Sequence, residues 1–374
     1  MSWNSVIDQE RAKGILRRSV EQGRVAHAYL FWGPRGVGKD ALAIEFAKTL
    51  LCERQGNEAC DICASCRKVE NLQHPNLRLV FAMPAGRSEK PGENGEGKLQ
   101  TDVRDEVRAQ LEQKAKDPYF HIEIPRASQI NIGSIRELKK ESSYSAFEKG
   151  RKIFIISDAE LMNDASGNSM LKVLEEPLSD TMFLLTSARR EKLLPTIVSR
   201  CQSIRCEILS EDAVRGALIS RQNIPEEQAR VISRLAGGDY SYALDLLSGD
   251  VSAKRGEAVS FLRAVLGGHD LKLMEEVELQ TAENDRGSAE QFLLLLLTWL
   301  RDAMIMKEEG AGRIVNEDQV EDLGRFLARF GNADFPATIG AVERALELLR
   351  GNVYLPLVFL SLSVRLKRLL MNER

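Results

Sequence analysis

Between Phe31 and Asp40 the chain reads FWGPRGVGKD. A phosphate-binding loop runs glycine, four residues, Gly-Lys, then Ser or Thr. Backbone N–H groups cradle the phosphates there, while the hydroxyl holds magnesium. Gly33, Gly36, Gly38 and Lys39 satisfy the pattern, but its last position is Asp40. The flanks supply the context such a loop needs. AHAYLFW, ending at Trp32, is a short apolar strand, and Leu42, Ala43, Phe46, Ala47 and Leu50 make one face of a helix. Strand, glycine loop, helix is a strong signal where a lone glycine motif is a weak one.

Working outward, residues 7–22 have helical spacing, and NLRLVFAM (residues 76–83) predicts the next strand. Residues 84–117 turn charged and rich in Gly and Pro, which predicts an exposed, partly mobile insertion with a helix over 102–116. KIFIIS (152–157) is continuously apolar, as a strand of a parallel sheet covered on both faces must be, and TMFLLTS (181–187) is another buried strand. A helix over 164–176, stopped by Pro177, lies between them, and KLLPTIVSRCQSIRC adds a short helix and a last strand. Alternating strands and helices predict an α/β domain with a mainly parallel sheet over 1–208. No strand is expected beyond Leu209. A small helical unit (209–251) and a larger all-α domain (252–374) complete the layout.

The chain has 374 residues, 43% hydrophobic and 29% charged, with a formal net charge of −3. That balance argues against a protein that binds nucleic acid by bulk charge. The charged and polar first 24 residues predict no secretory signal. FLLLLLTWL (292–300) is about half the ~20 residues of a membrane span, so a buried core helix is expected. A cytosolic setting follows, in which the six cysteines stay reduced.

Four of those cysteines, Cys52, Cys60, Cys63 and Cys66, fall within fifteen residues, separated by seven, two and two. Such spacing suits a tetrahedral all-sulfur zinc site, which has no open position for water and is therefore structural. Buried free thiols, or a redox Cys-x-x-C pair, are the alternatives. Cys201 and Cys206 border a strand and read as core residues. His27, at a strand entrance, reads as a packed core histidine.

The loop's last residue bears on catalysis. Asp40 sets a carboxylate close to phosphate charge, which costs about 1 kcal/mol at ~4 Å in water and several at protein-like dielectric. A carboxylate can also ligate magnesium, and it suits the first turn of a helix. A hydrolysing loop protein ends its second motif strand with Asp, often followed by Glu. Here Ser157 and Asp158 stand there; sliding the frame makes Asp158 the metal ligand, with Glu160 nearby. Under either frame one role is vacant. Lys39 holds a residual phosphate or nothing, and pairing with Asp40 is a further alternative.

HAYLFWGPRGVGK, the cysteines after TLLC, SDAELMNDASGNSMLKVLEEP and LLPTIVSRC together resemble the clamp-loader subunits of bacterial DNA polymerase III. The resemblance spans residues 24–206. It implies an AAA+ core, a helical lid and a helical collar that assembles a pentamer, with GNVYLPLVFLSLSVRL similar to the collar's closing helix. Within that family the ATP-hydrolysing gamma/tau kind would need Ser or Thr at position 40, Asp-Glu at 157–158 and an arginine at 241. This chain has Asp40, Ser157, Asp158 and Ser241, which favours the non-hydrolysing delta-prime kind. An active motor in which Asp40 and Asp158 share the magnesium is the alternative.

The resemblance also implies partners: gamma/tau and delta subunits, the sliding clamp, and primed DNA through its phosphates. It gives Arg200, in Ser199-Arg200-Cys201, the role of an arginine finger supplied in trans to a neighbour's ATP. Such fingers contribute about 10³- to 10⁵-fold in rate. Capping a helix C-terminus is the plain alternative for Arg200. Glu175 and Glu176 read as structural or interfacial rather than as an acid–base pair.

Overall fold

The computed structural model describes residues 3–54, 56–84, 101–144, 148, 150–176, 180–247, 251–268, 270–282, 285–351 and 353–371. They divide into two compact units, residues 1–223 with 237–241, and residues 224–236 with 242–374. No helix among them is long and apolar enough to cross a membrane.

The first unit is built on a five-stranded, all-parallel sheet in the order β2-β3-β4-β1-β5. The strands are β1 Ala28–Trp32, β2 Leu77–Val80, β3 Lys152–Ile156, β4 Thr181–Ser187 and β5 Gln202–Arg205. Every residue of β3 and β4 is buried, including Lys152, Thr181, Thr186 and Ser187 beside their apolar neighbours, as strands covered on both faces must be. Its helices are α1 Glu10–Glu21, α2 Lys39–Leu51, α3 Ala64–Glu70, α4 Thr101–Lys116, α5 Ile132–Ser143, α6 Asp164–Glu175, α7 Pro195–Arg200 and α8 Glu211–Gln222. The glycine loop leaves the C-terminal end of β1, which lies between β4 and β5. The ends of β3 and β4 therefore face the same crevice, where open α/β sheets carry their sites.

The helices that follow are α9 Glu226–Ala236, α10 Tyr240–Leu247, α11 Val251–Gly267, α12 Asp270–Thr281, α13 Arg286–Glu309, α14 Val320–Phe330, α15 Phe335–Arg350 and α16 Leu355–Met371. Among the described residues, no strand follows β5. The second unit has its own core, in which Phe261, Phe292 and Phe359 pack at centroid separations of 5.4–6.1 Å. The run Phe292–Leu300 is buried within α13, apart from the half-buried Leu294 and Thr298.

Three local readings differ from expectation. The first helix starts at Glu10, because Asp8 and Gln9 adopt left-handed backbone angles. The Gln9 amide acts as a clamp instead, donating to Val37 O and Glu207 O and accepting from Glu207 N. His27 is exposed, and its carbonyl accepts from Phe183 N; among the described residues, the buried histidine is His74. The helix expected over 102–116 forms as α4, but its last turn is no free surface, since Lys114 is buried. Residues 85–100 and the stop at Pro177 lie outside the described residues.

Candidate functional site

Asp40 lies in the first turn of α2 and reaches the C-terminal ends of β3 and β4. Its carboxylate accepts from Lys114 Nζ at 2.7 Å, Thr186 Oγ1 at 2.8 Å and Ser157 Oγ at 3.2 Å. Lys114 comes from α4 and also donates to the Phe120 carbonyl at 2.7 Å. Burial by itself would push the Asp40 carboxyl up; the charge and hydrogen bond of Lys114, the Thr186 hydroxyl and the Lys39 charge outweigh it and hold the pKa at about 2. Asp40 is thus an anion neutralised from within the chain.

Lys39 turns back on its own loop. Its ammonium donates to the carbonyls of Gly33, at 3.0 Å, and Pro34, at 2.5 Å, and the residue is 8% exposed. Gly33 N donates to Ser187 O, joining the loop to β4. Gly36 and Gly38 have φ angles of 63° and 91°, in the region that glycine favours. Both are also covered. A Cβ on Gly38 would meet the Tyr119 hydroxyl at 2.4 Å, and one on Gly36 would meet the Asp239 carboxylate at 1.6 Å.

That cover is itself anchored. Tyr119, 3% exposed, accepts from Ile7 N at 2.8 Å through its hydroxyl, and its carbonyl accepts from Ser241 Oγ at 2.7 Å. The Tyr119 and Tyr240 rings meet edge-on at 5.0 Å, with the Arg221 guanidinium over both. Tyr240 N donates to Gly36 O. Asp158 stands apart from this cluster: its backbone is left-handed, its N–H donates to Thr186 Oγ1, and its carboxylate lies 3.6 Å from His121 Nδ1.

Arg200 ends α7, away from the loop residues in sequence. It donates to Thr196 O at 3.0 Å and to Glu175 Oε1 at 2.6 Å, and keeps a third of its side chain exposed. Cys201 and Cys206, on either side of β5, are buried, which pushes both thiols up to about 12.

Cys52, Cys60, Cys63 and Cys66 converge between α2 and α3, with all four sulfurs within 4.8 Å of one another and none in a disulfide. The Cys60 and Cys66 sulfurs are 3.9 Å apart. A tetrahedral zinc with bonds of about 2.3 Å requires about 3.8 Å between sulfurs, so the donor set fits that ion. Cys60 N donates to Cys52 Sγ and Cys66 N to Cys63 Sγ, both at 3.4 Å, which orients the sulfurs. The Ile62 backbone N–H holds the Cys60 thiol down at about 6, while burial raises Cys52 and Cys66.

Sequence reasoning missed Lys114, Tyr119, Thr186 and Asp239. Lys114 lies 74 residues from its partner within a run of ordinary helix-surface residues, so no local pattern marks it. Thr186, one of three hydroxyl residues in β4, was the nearest available signal.

A parallel α/β sheet with a glycine loop at the end of β1, between β4 and β5, followed by helices, defines the class. The chain belongs to the family described as DNA polymerase III, delta subunit, whose pattern matches residues 8–210. It is 28% identical over 357 residues to the DNA polymerase III subunit delta' of Bacillus subtilis, covering 94% of both chains. It is 30% identical over 245 residues to subunit delta' of Pseudomonas aeruginosa, covering 64% of this chain and 62% of that one. Against subunit gamma/tau of Mycobacterium bovis it is 27% identical over 381 residues, covering 94% of this chain but 58% of that one.

Proposed function

We propose that this chain is a non-hydrolysing AAA+ subunit of the DNA polymerase III clamp loader, of the delta-prime kind. Residues 1–208 form its core, 209–251 its lid and 252–374 the collar by which it joins gamma/tau and delta subunits. The assembly works in the cytosol, placing the sliding clamp on primed DNA, whose contacts are to phosphates. Likeness to delta' relatives supports the role.

The observation that carries the non-hydrolysing part is the Lys114–Asp40 pair. The residue that would hold magnesium is a carboxylate already satisfied by an ammonium and two hydroxyls. Lys39 spends its donors on the loop's own carbonyls, and Tyr119 lies against Gly38. A nucleotide would have to displace all three. Gly33, Gly36, Gly38, Lys39, Asp40 and Asp158 are then retained architecture. The working residue is Arg200, exposed at a helix end and offered to ATP on the neighbouring subunit, where it stabilises charge on the transferring phosphate. Cys52, Cys60, Cys63 and Cys66 would hold a structural zinc, which when bound cross-links the loop between α2 and α3.

Titrating the isolated chain with a fluorescent ATP analogue tests the closed loop. No saturable binding at millimolar analogue with magnesium is expected; tight magnesium-dependent binding would contradict it.

A further inference from the structure

Glu175 is the last residue of α6, and Arg200 is the last of α7. An anion at a helix C-terminus sits against unpaired carbonyls and is unfavourable there, whereas a cation is favourable. Glu175 is therefore a misfit on its own helix, and what it holds explains it. Arg200 Nη2 donates to Glu175 Oε1 at 2.6 Å while Nη1 donates to Thr196 O at 3.0 Å. Two acceptors on two helices define the plane of a guanidinium, whose donors form a rigid fork. The remaining donors stay available to an incoming oxyanion.

The frame behind this pair is fixed by packing. A Cβ on Gly167 of α6 would meet Leu194 at 3.0 Å and Ile197 at 3.9 Å, so α7 seats closely on α6. Ile197 is 1% exposed and Leu193 5%. The ion pair itself is half exposed, with side chains 34% and 47% accessible, and pairs of that kind contribute little to stability. Holding α6 to α7 is left to the apolar contacts. Orienting Arg200 is the role left to Glu175.

We propose that Glu175 is the positioning residue of Arg200. It holds the guanidinium in the plane from which the arginine meets a phosphate of the neighbouring subunit's nucleotide. This rests on the reading of Arg200 as a finger acting in trans. Glu175 never touches the nucleotide; it lowers the cost of ordering a long side chain at the moment of reaction.

The test is steady-state ATP turnover by the complex assembled with the gamma/tau-type and delta subunits, carrying wild type, Glu175→Gln, Glu175→Asp, Arg200→Ala, or Glu175→Gln with Arg200→Ala. Glu175→Gln should lower kcat about two- to fivefold with KM for ATP unchanged, the range an exposed charge pair supports. Glu175→Asp should recover most of that loss. The double variant should turn over at the rate of Arg200→Ala alone, because Glu175 acts only through Arg200. An unchanged or raised kcat for Glu175→Gln, or an equal further loss in the Arg200→Ala background, overturns the positioning role while leaving the finger intact. Arg200→Ala at the wild-type rate overturns both.

Discussion

Asp40 and Lys114 form an ion pair at 2.7 Å beside the glycine loop. With a side chain 3% exposed, Lys114 depends on Asp40 for its counter-charge. Removing one partner of such a pair strands the other, so Asp40→Ala should destabilise the protein by about 3 kcal/mol in urea unfolding. Adding Lys114→Met should recover most of that loss, because an apolar chain of similar length needs no counter-charge. The same pair sets a pH dependence. The Asp40 carboxyl is held at about 2, below its ordinary 3.8, so its contribution is present above pH 4 and is lost as pH falls from there toward 2. The stability gap between wild type and Asp40→Asn should therefore close across that window, as read by thermal melts at stepped pH. None of this was legible locally. Residue 40 stood out as a departure from a pattern, but its partner comes from a different helix, 74 positions away.

At the scale of elements, strands β3 and β4 were readable because burial on both faces favours apolar runs, residues 153–156 in one and 182–185 in the other. The glycine loop was readable because three of its glycines, Gly33, Gly36 and Gly38, have positive φ. The start of α1 was not, since apolar spacing continues through residues whose backbone is turned by the Gln9 clamp. Gly38→Ala combines a φ of 91° with a collision against Tyr119, and should cost about 2 kcal/mol or more in a chemical melt. The cysteine module was legible from spacing alone, because two-residue gaps bring thiolates onto one centre. Cys60→Ser should lower bound zinc, measured by elemental mass spectrometry of the purified chain, and reduce the melting temperature. Wild type stripped by a chelator should melt like the variant.

At the scale of the molecule, two separate cores divide the labour: a parallel sheet that presents a loop and Arg200, and a helical unit built around Phe261, Phe292 and Phe359. Family membership rests mostly on the first unit, since the matched pattern ends at residue 210. On the proposed function catalysis lies next door: this chain's loop is closed, and Arg200 would complete a neighbour's site. The most direct measurement compares ATP turnover by the chain alone with turnover by the assembled complex carrying wild type or Arg200→Ala. The proposed function predicts no turnover alone and a clear drop in the complex when Arg200 is removed. Turnover by the isolated chain, unaltered by Arg200→Ala, would contradict it and make the protein a motor in its own right.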